Sequence, residues 1–302
     1  AIIVIDASIG ETAEDAAILA EIQKRSIPYI IVKNKADLTQ KQDGENEIFV
    51  SAKTGENISV LKERIAALAP KEEKERRIIG DLLEPNDFVV LVVPIDSAAP
   101  KGRLILPQQQ TIRDILEAGA NAIVVRDSEL QETLVSLGKR PRLVITDSQI
   151  FGKVSKIVPE DIPLTSFSIL MARYKGNLEQ NVKGARALEQ LKNGDTVLIS
   201  EGCTHHRQCE DIGTVKLPRW IREYTGKELQ FQFTSGGTFP ADLSPYTLIV
   251  HCGGCMLNER EMQYRKEACL QAGVPMTNYG MAIAHMHGIL KRSLTVFPKE
   301  ID

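Results

Sequence analysis

Short apolar runs alternate along the whole chain with stretches whose apolar residues recur at helical spacing. The first run, Ala1-Ile2-Ile3-Val4-Ile5, ends at Asp6. An uninterrupted run of that length predicts a parallel strand with both faces covered. Helical spacing follows over 11–25, strands are predicted at 29–33 and 47–50, and a second helix over 59–68. Strand and helix in turn predict a parallel α/β sheet. The alternation then returns twice. Strands are predicted at 88–93, 122–125 and 143–146, with helices over 108–117 and 129–137, and Pro94 closes the first of these strands. Further on, a helix over 178–191 stops at Asn193-Gly194, a common C-terminal signal. Strands are predicted at 196–200, 229–233 and 247–251, and helices over 217–224, 259–272 and from 280. The charge run Lys71-Glu72-Glu73-Lys74-Glu75-Arg76-Arg77 reads as a solvated linker. The expected organisation is three small α/β domains with mainly parallel sheets: 1–70, a linker over 71–84, 85–165 and 166–302.

Composition narrows the function classes. The 302 residues are 43% hydrophobic and 25% charged, enough apolar material for true cores. Lys and Arg number 37 against 40 Asp and Glu, a net charge of -3. That balance argues against nucleic acid as a partner, whose binding surfaces are basic. The longest apolar run, 88–95, is too short for a bilayer, which needs about 20 residues. No basic segment precedes the first apolar stretch, so no signal peptide is expected. A chain that opens inside a core strand is expected to have had a preceding part. Five cysteines are too few and too odd in number for a disulfide scaffold, and point to thiols used for metal or redox work in the cytoplasm.

Two loops carry nucleotide chemistry. Asn34-Lys35-Ala36-Asp37 follows the predicted strand at 29–33, and Ser51-Ala52-Lys53 follows the next strand. The Asp37 carboxylate can accept two hydrogen bonds from the guanine ring and its exocyclic amine, a pair adenine does not offer. The Lys35 stem can lie over the flat base, and the Ala52 N–H can meet the base carbonyl. Taken singly these are also ordinary turn residues. Two such loops after consecutive strands resemble the guanine-recognition half of a Ras-like GTPase of the translation-factor class. That resemblance implies GTP or GDP with Mg2+, held at Asn34, Lys35, Asp37, Ser51, Ala52 and Lys53. No G-x-x-x-x-G-K-[ST] run occurs in the chain, so the loop that cradles phosphates is missing and hydrolysis by this chain alone is not expected. Asp6 reads as a turn or packing residue.

All five cysteines and all five histidines lie beyond residue 200. Cys203-Thr204-His205 follows the strand predicted at 196–200, and His251-Cys252-Gly253-Gly254-Cys255 ends the strand at 247–251. Both pieces therefore fall at carboxyl ends of strands, the edge where open α/β sheets bind ligands. The C-x-x-C spacing lets two thiolates reach one centre, and the glycines between them remove crowding side chains. A redox dithiol, a structural zinc site and an iron–sulfur cluster all suit this spacing. Cys269 lies in helical apolar periodicity and reads as packing, as Cys209 does more weakly; His206, His285 and His287 read as surface or packing residues. Ser235-Gly236-Gly237-Thr238, at the same sheet edge, reads as a tight turn.

C-x-H followed some 45–50 residues later by H-C-x-x-C is similar to the signature of the [FeFe]-hydrogenase maturation GTPase (HydF) family, matched here by Cys203, His205, His251, Cys252 and Cys255. The resemblance runs the length of the chain. It implies a partial Ras-like GTPase domain, a dimerisation domain and an iron–sulfur cluster domain, in that order. It also implies a scaffold and carrier that binds a [4Fe–4S] cluster, accepts a di-iron precursor and delivers it to apo-[FeFe]-hydrogenase. Radical-SAM maturases would build that precursor, the complete protein would bind and hydrolyse GTP, and the middle domain would make a homodimer. On this reading Cys203, Cys252 and Cys255 hold three irons, and Glu201, His205, His251 or a water stands by the fourth. Glu201 and His205 share the face of Cys203 in extended chain, whereas His251 would point to the face opposite Cys252. The rival reading is a GTPase whose zinc or iron–sulfur domain is structural, with no metal-transfer role.

Overall fold

The computed structural model describes residues 1–39, 44, 46–68, 76–95, 104–202 and 212–297. The chain divides into two units, 1–75 and 76–302.

In the first unit β1 (Ile2–Asp6), α1 (Ala13–Lys24), β2 (Ile30–Asn34), β3 (Glu47–Phe49) and α2 (Ile58–Leu68) follow one another. The strands form a parallel sheet in the order β1-β2-β3. Side chains alternate between faces along a strand, and the two faces take different helices. Ile30, Val32, Ile48 and Val50 pack with Ile58, Leu61, Ile65 and Leu68 of α2. Ile3, Ile5 and Ile31 pack with Leu19 and Ile22 of α1. The start of α1 is fixed reciprocally. The Thr12 hydroxyl accepts from the Asp15 N–H at 3.2 Å, and the Asp15 carboxylate accepts from the Thr12 N–H at 3.0 Å.

The second unit contains two four-stranded sheets. The first is built from β4 (Phe88–Val92), α3 (Leu106–Glu117), β5 (Asn121–Val125), α4 (Leu130–Ser136), β6 (Leu143–Thr146), α5 (Phe151–Ile157) and β7 (Leu164–Ser166), followed by α6 (Phe167–Tyr174) and α7 (Leu178–Arg186). The second is built from β8 (Thr196–Ser200), α8 (Leu217–Thr225), β9 (Gln230–Thr234), β10 (Leu248–His251), α9 (Glu259–Ala272) and β11 (Met276–Asn278), followed by α10 (Tyr279–Met286) and α11 (Leu290–Leu294). Every strand pair is parallel. The orders are β5-β4-β6-β7 and β9-β8-β10-β11. Numbered within each half, both read second, first, third, fourth.

The two halves trace the same path down to single hydrogen bonds. Ahead of β4 the Asp87 carboxylate accepts from the Glu84 N–H at 2.9 Å; ahead of β8 the Asp195 carboxylate accepts from the Lys192 N–H at 2.8 Å. The carbonyl of Asp87 takes the N–H of Asn121 at the start of β5, and that of Asp195 takes the N–H of Gln230 at the start of β9. Pro163-Leu164-Thr165-Ser166-Phe167 answers to Pro275-Met276-Thr277-Asn278-Tyr279. In each, the last strand residue caps the helix that follows: Ser166 accepts from the Ile169 N–H, and Asn278 from the Met281 N–H. The matching helices α6 and α10 pack on each other so closely that a Cβ on Gly280 would overlap Ser168, its own counterpart. The unit is thus an internal duplication with a local two-fold near Ser168 and Gly280.

The halves also share their covers. α7 packs on β11, where the Thr277 hydroxyl donates to the Asn181 carbonyl at 2.8 Å, and α11 packs on β7. One apolar cluster joins Val90, Ile145 and Leu164 of the first sheet to Met281, Leu290, Leu294 and Phe297 of the second half. Residues 76–84 enter the same core: Ile78 and Ile79 are buried, and the buried Asp114 carboxylate accepts the N–H groups of Ile79 and Gly80 at 2.8 and 2.6 Å.

Every predicted element is present, most with shifted ends, but β1 is covered on one face only: Ile2 and Val4 are exposed. α3 begins at Leu106 rather than 108, since Pro107 fits a first helical turn and the Gln108 side chain accepts from the Ile105 N–H at 3.1 Å. α7 stops at Arg186 and tightens into a 3-10 turn over Ala187–Gln190, which still buries Leu188 and Leu191. Five elements were absent from the sequence reading: α5, β7, α6, β11 and α11. β7 and β11 are three residues long with two polar residues each, too short to show a period. Among the described residues no helix is long and apolar enough to cross a membrane.

Candidate functional site

In the first unit the two nucleotide-type loops meet. β2 delivers Asn34, Lys35 takes a left-handed conformation (φ 65°), and a 3-10 turn carries Asp37. β3 delivers the buried Ser51. The loops are tied by two bonds: the Ser51 hydroxyl donates to Asp37 Oδ1 at 2.7 Å, and the Ala52 N–H donates to Asn34 Oδ1 at 3.1 Å. The Ala52 N–H expected to face a base carbonyl is therefore engaged with Asn34. Asp37 and Lys53 are exposed. The Lys35 ammonium reaches across to Asp6 at 2.6 Å. Lys35 and the Ser8 groups that donate to Asp6 hold its carboxyl down at about 2. With the Ile9 and Gly10 N–H groups also on its carbonyl, Asp6 is a turn residue, as expected.

In the second unit β8 and β10 lie side by side with Ser200 opposite His251, so their carboxyl ends bring Glu201-Gly202 next to Cys252. The Cys252 sulfur accepts the Gly202 N–H at 3.0 Å and the Gly254 N–H at 3.4 Å. Hydrogen bonds to the charged form favour it, so this pair of amides suits a thiolate. Gly254 is required twice over: its φ is 63°, and a Cβ there would meet the Met262 sulfur at 2.7 Å. Gly253 has open space around it. Cys255 is half-buried. Near it the half-buried Lys175 donates to the Leu257 carbonyl at 2.7 Å. Burial pushes the Lys175 ammonium below its ordinary range, against the opposing pull of Cys255 and Glu259. Glu201 is buried, and its Oε1 accepts from the Tyr279 hydroxyl at 3.2 Å.

His251 is buried with both ring nitrogens engaged. Nδ1 lies 2.7 Å from the Cys252 carbonyl and Nε2 lies 2.9 Å from the Arg265 guanidinium. A guanidinium has only donors, so Nε2 accepts and the proton sits on Nδ1. Burial pushes this imidazole down to about 4, and it is neutral at pH 7. Cys269 is buried against Met276, its thiol pushed up by burial to about 12, a packing role. His285 stacks edge-on against Tyr224 and lies 3.2 Å from Glu189. The Gly236-Gly237 turn presents the Gly236 carbonyl to Arg265 at 3.1 Å. Cys203, His205, His206 and Cys209 lie outside the described residues. Among the described residues no three His, Cys, Asp or Glu side chains converge on a metal position. The donors that are placed still fit an iron–sulfur group: two thiols of a C-x-x-C loop, one with two amides on its sulfur, beside a buried carboxylate and a lysine.

Sequence reasoning passed over Arg265, Lys175 and Tyr279. Arg265 had a signal. It sits with Met262 and Cys269 on one helical stripe, and all three are buried.

A three-stranded parallel α/β unit is followed by a duplicated parallel α/β unit with a thiol loop at a sheet edge, and this defines the class of protein. Two family models match the second unit. The hydrogen maturase F dimerization domain covers residues 78–176, and the hydrogen maturase F tetramerization domain covers residues 179–296. The chain belongs to the hydrogen maturase F family. A further likeness is to the tRNA modification GTPase MnmE of Dichelobacter nodosus, 40% identical over 50 residues. That stretch is 17% of this chain and 11% of that relative, so the chain spans only a small part of the relative's length.

Proposed function

We propose that this chain is a scaffold and carrier in [FeFe]-hydrogenase maturation, binding a [4Fe–4S] cluster at the carboxyl edge of β8 and β10 and passing a di-iron precursor to apo-hydrogenase. The observation that carries the reading is the Cys252 sulfur under two backbone amides in a chain of the hydrogen maturase F family. Cys252, Cys255 and Cys203 are the proposed thiolate ligands. Glu201 or His205 stands at the fourth iron, with His251 behind the loop. A cluster bound there would supply an iron with an exchangeable ligand, since a carboxylate or water oxygen is a harder, poorer match than thiolate. The 1–70 segment is proposed as the guanine-recognition half of a GTPase domain, a reading the MnmE likeness supports. Asn34, Lys35, Asp37, Ser51, Ala52 and Lys53 are its nucleotide residues, for GTP or GDP with Mg2+ in the complete protein. The 85–165 segment is proposed to make a homodimer, and the family model named for dimerization supports it. Radical-SAM maturases are the proposed suppliers, and the cytoplasm the proposed location.

Anaerobic reconstitution followed by iron and sulfide analysis tests the cluster. The expected result is a brown protein with about four irons and four sulfides per chain. A colourless protein that takes up one zinc instead would leave the structural-zinc reading standing. The nucleotide site has its own test. Asp37→Asn in the complete protein removes an acceptor and a charge, and a charge-assisted bond is worth about 1.5–3 kcal/mol. GTP Kd should therefore rise about tenfold or more in a titration calorimeter. An unchanged Kd would remove the assignment.

A further inference from the structure

Among the described residues, Arg265 is one of the largest side chains with no solvent exposure, and the one charged group of that set. Taking a guanidinium out of water costs several kcal/mol, and a well-packed apolar residue of similar volume usually serves stability as well or better. Its presence on the buried stripe of α9 therefore calls for another reason. Four bonds supply one. Nε donates to Glu261 at 2.8 Å, one turn back on α9. Nη1 donates to His251 Nε2 at 2.9 Å and to the Ser200 hydroxyl at 3.3 Å, and Nη2 to the Gly236 carbonyl at 3.1 Å. The guanidinium lies over the Phe239 ring, 5.0 Å from its centre.

Those acceptors belong to three separate segments: Ser200 ends β8, Gly236 lies in the turn after β9, and His251 ends β10. One planar cation thus fastens the carboxyl ends of three neighbouring strands to the helix that follows the thiol loop. The bond to His251 goes further. Since Arg265 can only donate, it holds the imidazole proton on Nδ1, and that proton is given to the Cys252 carbonyl at 2.7 Å. The peptide that leaves Cys252 is oriented by this relay, while the Cys252 sulfur accepts the Gly202 and Gly254 amides.

We propose that Arg265 is the positioning residue of the thiolate loop, acting through His251 on the Cys252 peptide to preset the loop for cluster binding. The proposal rests on the cluster reading given above. Groups that orient metal ligands in this way are typically worth 10–100-fold in metal affinity. The test compares wild type, Arg265→Met, Arg265→Lys and His251→Leu, each reconstituted anaerobically. Three readouts are taken: iron per chain, the rate of iron release to a chelator, and the electron paramagnetic resonance spectrum of the reduced protein. Arg265→Met and His251→Leu should each speed iron release about tenfold or more and shift the spectrum. The double variant should be no faster than either single one, because both cut the same relay. Arg265→Lys, a point donor without the fork, should fall between. Thermal unfolding of each variant reports folding separately, and His251→Leu leaves Arg265 in place should Arg265→Met fail to fold. Folded variants that match wild type in release and spectrum overturn the proposal while the cluster reading survives. Additive effects in the double variant also overturn it. A wild type that takes up no iron overturns the cluster reading and this inference with it.

Discussion

Cys252→Ala should leave the reconstituted protein with well under half the iron of wild type. Among the described thiols the Cys252 sulfur is the one on which two backbone amides converge, from Gly202 and Gly254. Alanine removes the donor atom and leaves both amides facing a void. The fold should survive, because Cys252 is half-exposed and lies outside every apolar cluster. Cys269→Ser is the matched control. That thiol is buried, its ionisation pushed up to about 12 by desolvation, so it is neutral at pH 7 and packs against Met276. Its serine variant should keep the full iron content but lose about 1–3 kcal/mol of stability, the cost of a poorly satisfied hydroxyl in an apolar site. Iron analysis and denaturant titration on the two variants should therefore separate cleanly. Full iron in Cys252→Ala would remove the cluster assignment at this loop.

Cutting the second unit between the two family-model segments should abolish folding of the first piece. Residues 76–176 contain β7 but not α11, which covers it. They also lose Met281, Leu290, Leu294 and Phe297 from the shared cluster. Burying a large apolar side chain is worth about 1.5–3 kcal/mol. Four such side chains consume most of a domain's net stability of about 5–15 kcal/mol. The isolated 76–176 piece should show no cooperative unfolding transition, whereas 76–302 should unfold in one. Producing both pieces together should restore the transition. A sharp transition in 76–176 alone would show that the second half is dispensable to the first. The same geometry explains why a loss at α10 should be felt at the candidate site: Tyr279, at its first turn, donates to Glu201.

Much of the fold could be read from the sequence. Runs such as Phe88–Val92 and Thr196–Ser200 announce themselves because strands covered on both faces need apolar residues without a break. Placing Asn34 and Ser51 after consecutive strands followed from that, as did placing Cys252 at a strand end. The duplication was harder. Its two copies share turns and the hydrogen bonds within them, such as those onto the carboxylates of Asp87 and Asp195, and the glycines Gly176 and Gly288, both left-handed at φ 72° and 70°. Their core positions, however, exchange Leu, Ile, Val and Met freely, and a packed interior tolerates such swaps when volume and pattern are kept. Repeated architecture therefore left few repeated letters.

What the sequence by itself determined is local: the period of the longer elements, the Asn193-Gly194 stop, and the glycines that let the loop turn between Cys252 and Cys255. Those depend on neighbours a few residues away, and the chain carries them in its order. What only the tertiary structure decided is which polar groups meet in the interior. Glu261 and Arg265 stand four apart on α9, a spacing that on an open helix face makes a solvated pair, yet that arginine is wholly buried. Its remaining acceptors arrive from 14, 29 and 65 residues away in the chain. A buried cation is tolerable only when such partners converge, and convergence is a property of the folded sheet edge, set by strand order and register rather than by any pattern along the chain.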